Sequence, residues 1–197
     1  AAAATESEGQ RSMAIAQIVL MTPLLLVSPP AGVLADRAGK RSIIVWMKIA
    51  ELALMTLGML VLMVHPSGGW PALMVLGLLG VQAALYSPAK YGILPETVAH
   101  DELSRGNGLL EMLTNVAIIA GTVAAAPLFQ ATMGRPWLAA LPLVALSAIG
   151  FAAALRIPET PVARAAGGLS ETLKMAFDAM RADRILRLAV IGQIIVW

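Results

Sequence analysis

Cysteine is absent from this chain of 197 residues, which excludes disulfides, thiolate metal sites and cysteine nucleophiles. Charge is scarce too. Asp, Glu, Lys and Arg make up 13% of residues, against roughly a quarter in a soluble domain. The formal charge of +2 is too small to suggest a nucleic-acid partner. Two histidines, His65 and His100, sit in separate loops, and neither has a second ligand at metal spacing, so both read as solvated and no metal is expected. No phosphate-cradling loop, serine–histidine arrangement or carboxylate pair in a water-filled setting is present, so no catalytic residues and no cofactor are expected, and the chain does not read as an enzyme. What remains is apolar: 58% of residues are hydrophobic, and the mean hydropathy is +0.79.

That apolar content is organised in runs long enough to cross a bilayer. They lie near 12–34, 42–64, 71–86, 109–129 and 137–155, and a further run over 185–197 is too short to cross. The expected fold class is all-α, a polytopic transmembrane helix bundle. Pro23, Pro29 and Pro30 fall inside the first run, which a membrane helix tolerates where neighbouring groups satisfy the freed carbonyls. Three parts are expected: a helical bundle over 1–155, a polar linker over 156–184 and the start of another span over 185–197. Within the linker Leu173, Phe177 and Met180 share a helical face, so a short amphipathic helix along the interface is expected there.

The distribution of basic residues orients the spans. Alternation puts Arg37, Lys40, Arg41, Lys90, Arg105, Arg156, Arg164, Lys174, Arg181, Arg184 and Arg187 on one side, Arg11 and Arg135 on the other, and Lys48 within a span. The positive-inside rule assigns the rich side to the cytoplasm, together with the 36–41 turn and the 87–108 and 156–184 connections. Trp70, after the turn His65–Gly69, suits the opposite headgroup belt.

The most specific motif is the turn between the first two runs. Gly32, Asp36, Arg37, Gly39, Lys40 and Arg41 form G-x-x-x-D-R-x-G-K-R, read as a tight charged loop of about six residues with glycines that permit the turn. This pattern resembles the loop between the second and third helices of major facilitator superfamily transporters. The resemblance implies twelve helices in two six-helix halves around a midplane site. This chain would supply about helices two to six, the central linker and the start of helix seven, most of one half. The first helix is expected to be missing, and the remaining transporter helices would be partners. The resemblance also makes the turn a gate, its Asp and Arg holding cytoplasmic helix ends together until the protein opens inward.

Two more segments, Tyr86–Glu96 and Gly106–Met112, together with Ser28–Gly32, are similar to the bacterial lysophospholipid transporter family. That family moves lysophospholipids, typically lysophosphatidylethanolamine, inward across the inner membrane for re-acylation. The resemblance implies a lipid-like substrate, alternating access and a multi-pass inner-membrane location. Some members are fused to acyltransferase domains, so a fused or associated acyltransferase is a further expected partner. Two alternatives stay open: a membrane anchor or delivery module for such an acyltransferase, and a major facilitator transporter of drugs or small solutes.

Polar groups within or beside the spans are the substrate or coupling candidates: Lys48, Glu51, Gln82, Lys90, Glu111 and Asn115. A charge inside a span costs about 3 kcal/mol on insertion scales, so it pairs or faces a cavity. Lys48 and Glu51, three apart, are placed to pair, with snorkelling of Lys48 as the bland alternative. Glu111 and Asn115 share a helix face and are expected to pair with Lys48 or Lys90. Gln82 is open between a headgroup contact and a helix–helix hydrogen bond. Gly77, Gly80 and Gly121 are expected to allow close helix approach.

Overall fold

The computed structural model describes residues 2–159 together with Lys174, Asp178, Arg181, Asp183 and Leu188, and the side chains of residues 2–8 and of Asp36 lie outside that description. The expected amphipathic linker helix and the run over 185–197 therefore fall almost wholly outside the described residues. The chain divides into two compact units, Ala1–Ala163 and Arg164–Trp197. In the second, Lys174, Asp178, Arg181 and Leu188 are helical.

All regular structure among the described residues is helical: α1 (Ala2–Arg37), α2 (Lys40–Val64), α3 (Gly69–Gly92), the single turn α4 (Leu94–Thr97), α5 (Leu103–Ala131) and α6 (Trp137–Ala154), with a 3₁₀ turn at His100–Glu102. Five stretches are long and apolar enough to cross a membrane: Gly9–Ala35, Lys40–Val64, Gly69–Thr97, His100–Ala131 and Trp137–Ala154. The helices outrun the apolar runs that seed them. α3 continues past Tyr86 to Gly92, and α5 begins at Leu103, ahead of Leu109. Backbone hydrogen bonding carries a helix on into polar residues at its ends, whereas hydropathy marks only its apolar middle. Most of the 87–108 connection is thus helical.

The charged turn is tighter than expected. Only Ala38 and Gly39 separate α1 from α2, so Asp36 and Arg37 close one helix while Lys40 and Arg41 open the next. Gly39 has φ −58°, and a Cβ on Gly32 would meet nothing within 4 Å among the described residues. Neither glycine uses the conformational freedom that the motif suggested. The left-handed conformation occurs instead at Gly68, Gly69 and Gly134, in the turns at the other end of the bundle.

In space the order is α1–α3–α2–α6, because α1 packs along α3, α3 against α2, and α2 against α6. Among the described residues α5 meets this group mainly at its start, through α4 and the 3₁₀ turn. The buried hydrophobic residues are mostly small: Ala31, Ala35, Ala84, Ala89, Ala140 and Ala154 accompany Ile43, Ile44 and Val75. Large side chains such as Leu25, Trp46, Met74 and Ile119 face outward. In an apolar solvent, helices associate through close backbone approach rather than burial of bulk. The tightest approach is between α1 and α3, where a Cβ on Gly80 would lie 2.5 Å from the Leu20 carbonyl oxygen and one on Gly77 would lie 3.3 Å from Val19. Among the described residues nothing lies within 4 Å of a Cβ built on Gly121, so no close approach is seen there. Ala35, Ile43, Ile44, Ala89 and Ala154 form one cluster that gathers α1, α2, α3 and α6 beneath the charged turn.

Candidate functional site

The charged end is cross-braced by α2. Lys40 forms an ion pair with Glu96 on α4, and both side chains are largely buried. The lysine stem passes over Gly92, where an added Cβ would lie 2.7 Å from Lys40 Cε. Arg41 pairs with Glu159 beyond α6 at 3.0 Å. Glu159 is exposed, so screening leaves that pair weak. Lys40 and Arg41 of the motif thus link the start of α2 to the α3–α4 elbow and, more weakly, to the α6 end. Arg41 Nε and Glu96 Oε2 are buried with no hydrogen-bond partner among the described residues. An orphaned buried polar atom is costly, so this end still has unmet polar demand.

A second network lies deeper, about 12 Å further along α2 from Lys40 at 1.5 Å per residue. Lys48 donates to Glu51 at 2.8 Å, and each side chain is about four-fifths buried. The other Glu51 oxygen accepts from the Ser147 hydroxyl on α6 at 3.2 Å. The Lys48 ammonium stands 5.1 Å from the centroid of the Tyr86 ring on α3, within cation–π range. Gly150 on α6 lies beside it, a Cβ there falling at an ordinary contact distance of 3.5 Å from Lys48 Nζ. Gln82, buried on α3, donates to the Met47 carbonyl at 3.2 Å, so of its two readings it makes the helix–helix bond.

A third set ties α3 to α5. Lys90 donates to the Thr114 hydroxyl at 2.9 Å and lies 5.1 Å from the Tyr91 ring centroid. The Tyr91 hydroxyl donates to Glu111 at 2.8 Å. Asn115 donates back along its own helix to the Glu111 carbonyl at 2.9 Å. Glu111 and Asn115 therefore do not pair with Lys48 or Lys90 as expected. Tyr91, the residue after Lys90 on α3, takes Glu111 instead, and Lys90 turns to a hydroxyl.

Between α3 and α5 opens a groove of about 800 Å³. Leu94, Val98, Leu109, Leu110, Leu113 and Ile118 give it apolar walls, and Lys48, Tyr86, Lys90 and Thr114 supply its polar points. Apolar walls with a few convergent polar groups are the usual form of a small-molecule site. Of the six candidates, Lys48 and Lys90 line this groove. Gln82 is spent on helix packing, Glu51 lies behind Lys48, and Glu111 and Asn115 sit on the exposed side of the α3–α5 bridge. Among the described residues no cluster of His, Asp and Glu has the form of a metal site.

Sequence reading missed Ser147, Gly150 and Thr114. Each is a lone small residue within an apolar run, and its partner lies on another helix. Glu96 and Tyr91 lay inside a segment already singled out, but their partners were not legible there.

The family model described as Major Facilitator Superfamily matches residues 6–197. Proteins from Salmonella heidelberg (strain SL476), Salmonella agona (strain SL483) and Salmonella enteritidis PT4 (strain P125109), each named "Lysophospholipid transporter LplT", are 36% identical to the chain over 159 residues. The match covers 78% of this chain and 36% of each relative, so the chain spans about a third of the length of the curated relatives it matches. No solved structure matches the chain.

Proposed function

Because the chain belongs to the Major Facilitator Superfamily, we propose that it forms part of a bacterial inner-membrane transporter that moves lysophospholipid by alternating access. The observation that carries this reading is the 36% identity to relatives named for lysophospholipid transport. The groove supports it: long apolar walls suit one acyl chain, and Lys48, Lys90 and Thr114 offer donors to a glycerophospho-headgroup. Helices beyond this chain complete the enclosure. An acyltransferase, fused or associated, is the partner that such a product calls for.

In this reading the end carrying Arg37, Lys40, Arg41, Lys90, Arg105 and Arg156 is cytoplasmic, as its basic residues dictate. The turn there works as a latch. Lys40 braces the start of α2 against α4, and only Ala38 and Gly39 separate it from Asp36 and Arg37, so the two motif residues sit beside a braced corner. Opening toward the cytoplasm then requires their contacts with the rest of the transporter to break.

Uptake tests both parts. Cells lacking their own lysophospholipid import, given the full-length protein, should take up labelled lysophosphatidylethanolamine and convert it to the diacyl form. Asp36→Asn should insert normally, reduce uptake severalfold and raise the cytoplasmic accessibility of a single introduced cysteine. Uptake no greater than in the parent cells would reject the substrate. Unchanged uptake and accessibility in Asp36→Asn would reject the latch.

A further inference from the structure

The polarity of the Lys48–Glu51 pair relative to the groove has a consequence for ligand charge. Lys48 lines the groove and Glu51 does not. Glu51 is held behind, one oxygen bonded to Lys48 and the other to Ser147 on α6. The pair is a fixed dipole with its positive end toward the groove. No side chain that lines the groove among the described residues is a carboxylate, and Lys90 adds a second ammonium. An ammonium has three N–H donors, and Lys48 spends one on Glu51. Tyr86 presents its ring face to the same ammonium, and α6 closes the far side at Gly150. The remaining donor capacity is available to the groove that Lys48 lines.

We propose that Lys48 is an anion contact for the phosphate of a single-chain amphiphile, and that Ser147, although outside the groove, positions it by anchoring Glu51. The consequence is a charge preference. An amphiphile with net negative charge binds better than a zwitterionic one, and a zwitterionic one better than a neutral one, because the charged side chains that line the groove among the described residues are two lysines and no carboxylate. A charge-assisted hydrogen bond in a partly dry site corresponds to about tenfold or more in affinity. The inference rests on the lysophospholipid reading for the class of amphiphile, but its charge rule stands on the groove alone.

The test is equilibrium binding to the full-length protein in nanodiscs, with dodecyl phosphate, dodecylphosphocholine and dodecyl maltoside as probes. Wild type should rank them in that order, with about a tenfold gap between the first and the last. Lys48→Arg should keep the order. The double change Lys48→Gln with Glu51→Gln removes the charge without stranding the carboxylate. It should flatten the order. Ser147→Ala should narrow the gap between phosphate and maltoside and leave maltoside affinity unchanged, an effect that simple loss of packing would not produce. Equal affinities in wild type, or an order that survives in the double variant, would overturn the proposal. The outcomes separate from those of the functional reading. A protein that imports lysophospholipid without this charge order retains the function and loses the inference. One that shows the order and imports no lysophospholipid does the reverse.

Discussion

Lys48 and Glu51 are opposite charges inside one span, and the structure brings them to 2.8 Å with most of each side chain buried. Removing one would leave the other in a low-dielectric setting without its partner, which costs more than removing both. Lys48→Met or Glu51→Gln alone should therefore destabilise the protein or damage transport more than the double change does. A double-mutant cycle should return a coupling term of roughly 0.5–3 kcal/mol; strictly additive losses would show that the two act separately. This pair was legible in the sequence because neighbours three apart on a helix meet whatever the fold. Ser147, which completes the network from α6, was not. A lone serine in an apolar run has no partner until α2 and α6 are known to pack. The same limit explains Glu111, whose tyrosine partner becomes visible only once α3 is seen to continue past the end of its apolar run.

At the scale of elements, α1 and α3 are set by one point of approach. Gly80 lies against the Leu20 backbone with no room for a methyl group, and backbone cannot step aside as a flexible side chain can. Gly80→Ala should force the two helices apart at a cost of about 1–3 kcal/mol, seen as a lower melting temperature in detergent. Gly121→Ala, with nothing within 4 Å, is the control and should leave it unchanged among these helices. Equal melting for both variants would refute the packing described. The sequence nominated Gly77, Gly80 and Gly121 alike, since composition marks a small residue but not the helix it faces. Helix number and type were legible from hydropathy, because each apolar run is long enough to force one solution on a chain in lipid. The two-residue turn was not, since charge marks where a membrane span stops and not where its helix does.

For the whole molecule, the family was legible because the charged turn and the segments around Pro88–Glu96 and Gly106–Met112 are specific patterns, and the match over residues 6–197 establishes it. The layout of the groove was not legible, since it depends on how α5 stands off from α3 and on which lysines turn inward. The arrangement has two levels: a braced, basic end at Lys40 and Arg41 and, deeper along α2, a polar point at Lys48 beside an apolar wall. Under the proposed function the first would control access and the second would receive an amphiphile. The most direct test of that account is transbilayer movement with purified full-length protein in vesicles. Labelled lysophosphatidylethanolamine should cross faster than in protein-free vesicles, and cationic drugs and sugars should not. Movement of drugs or sugars with lysophospholipid left at the protein-free rate would contradict it.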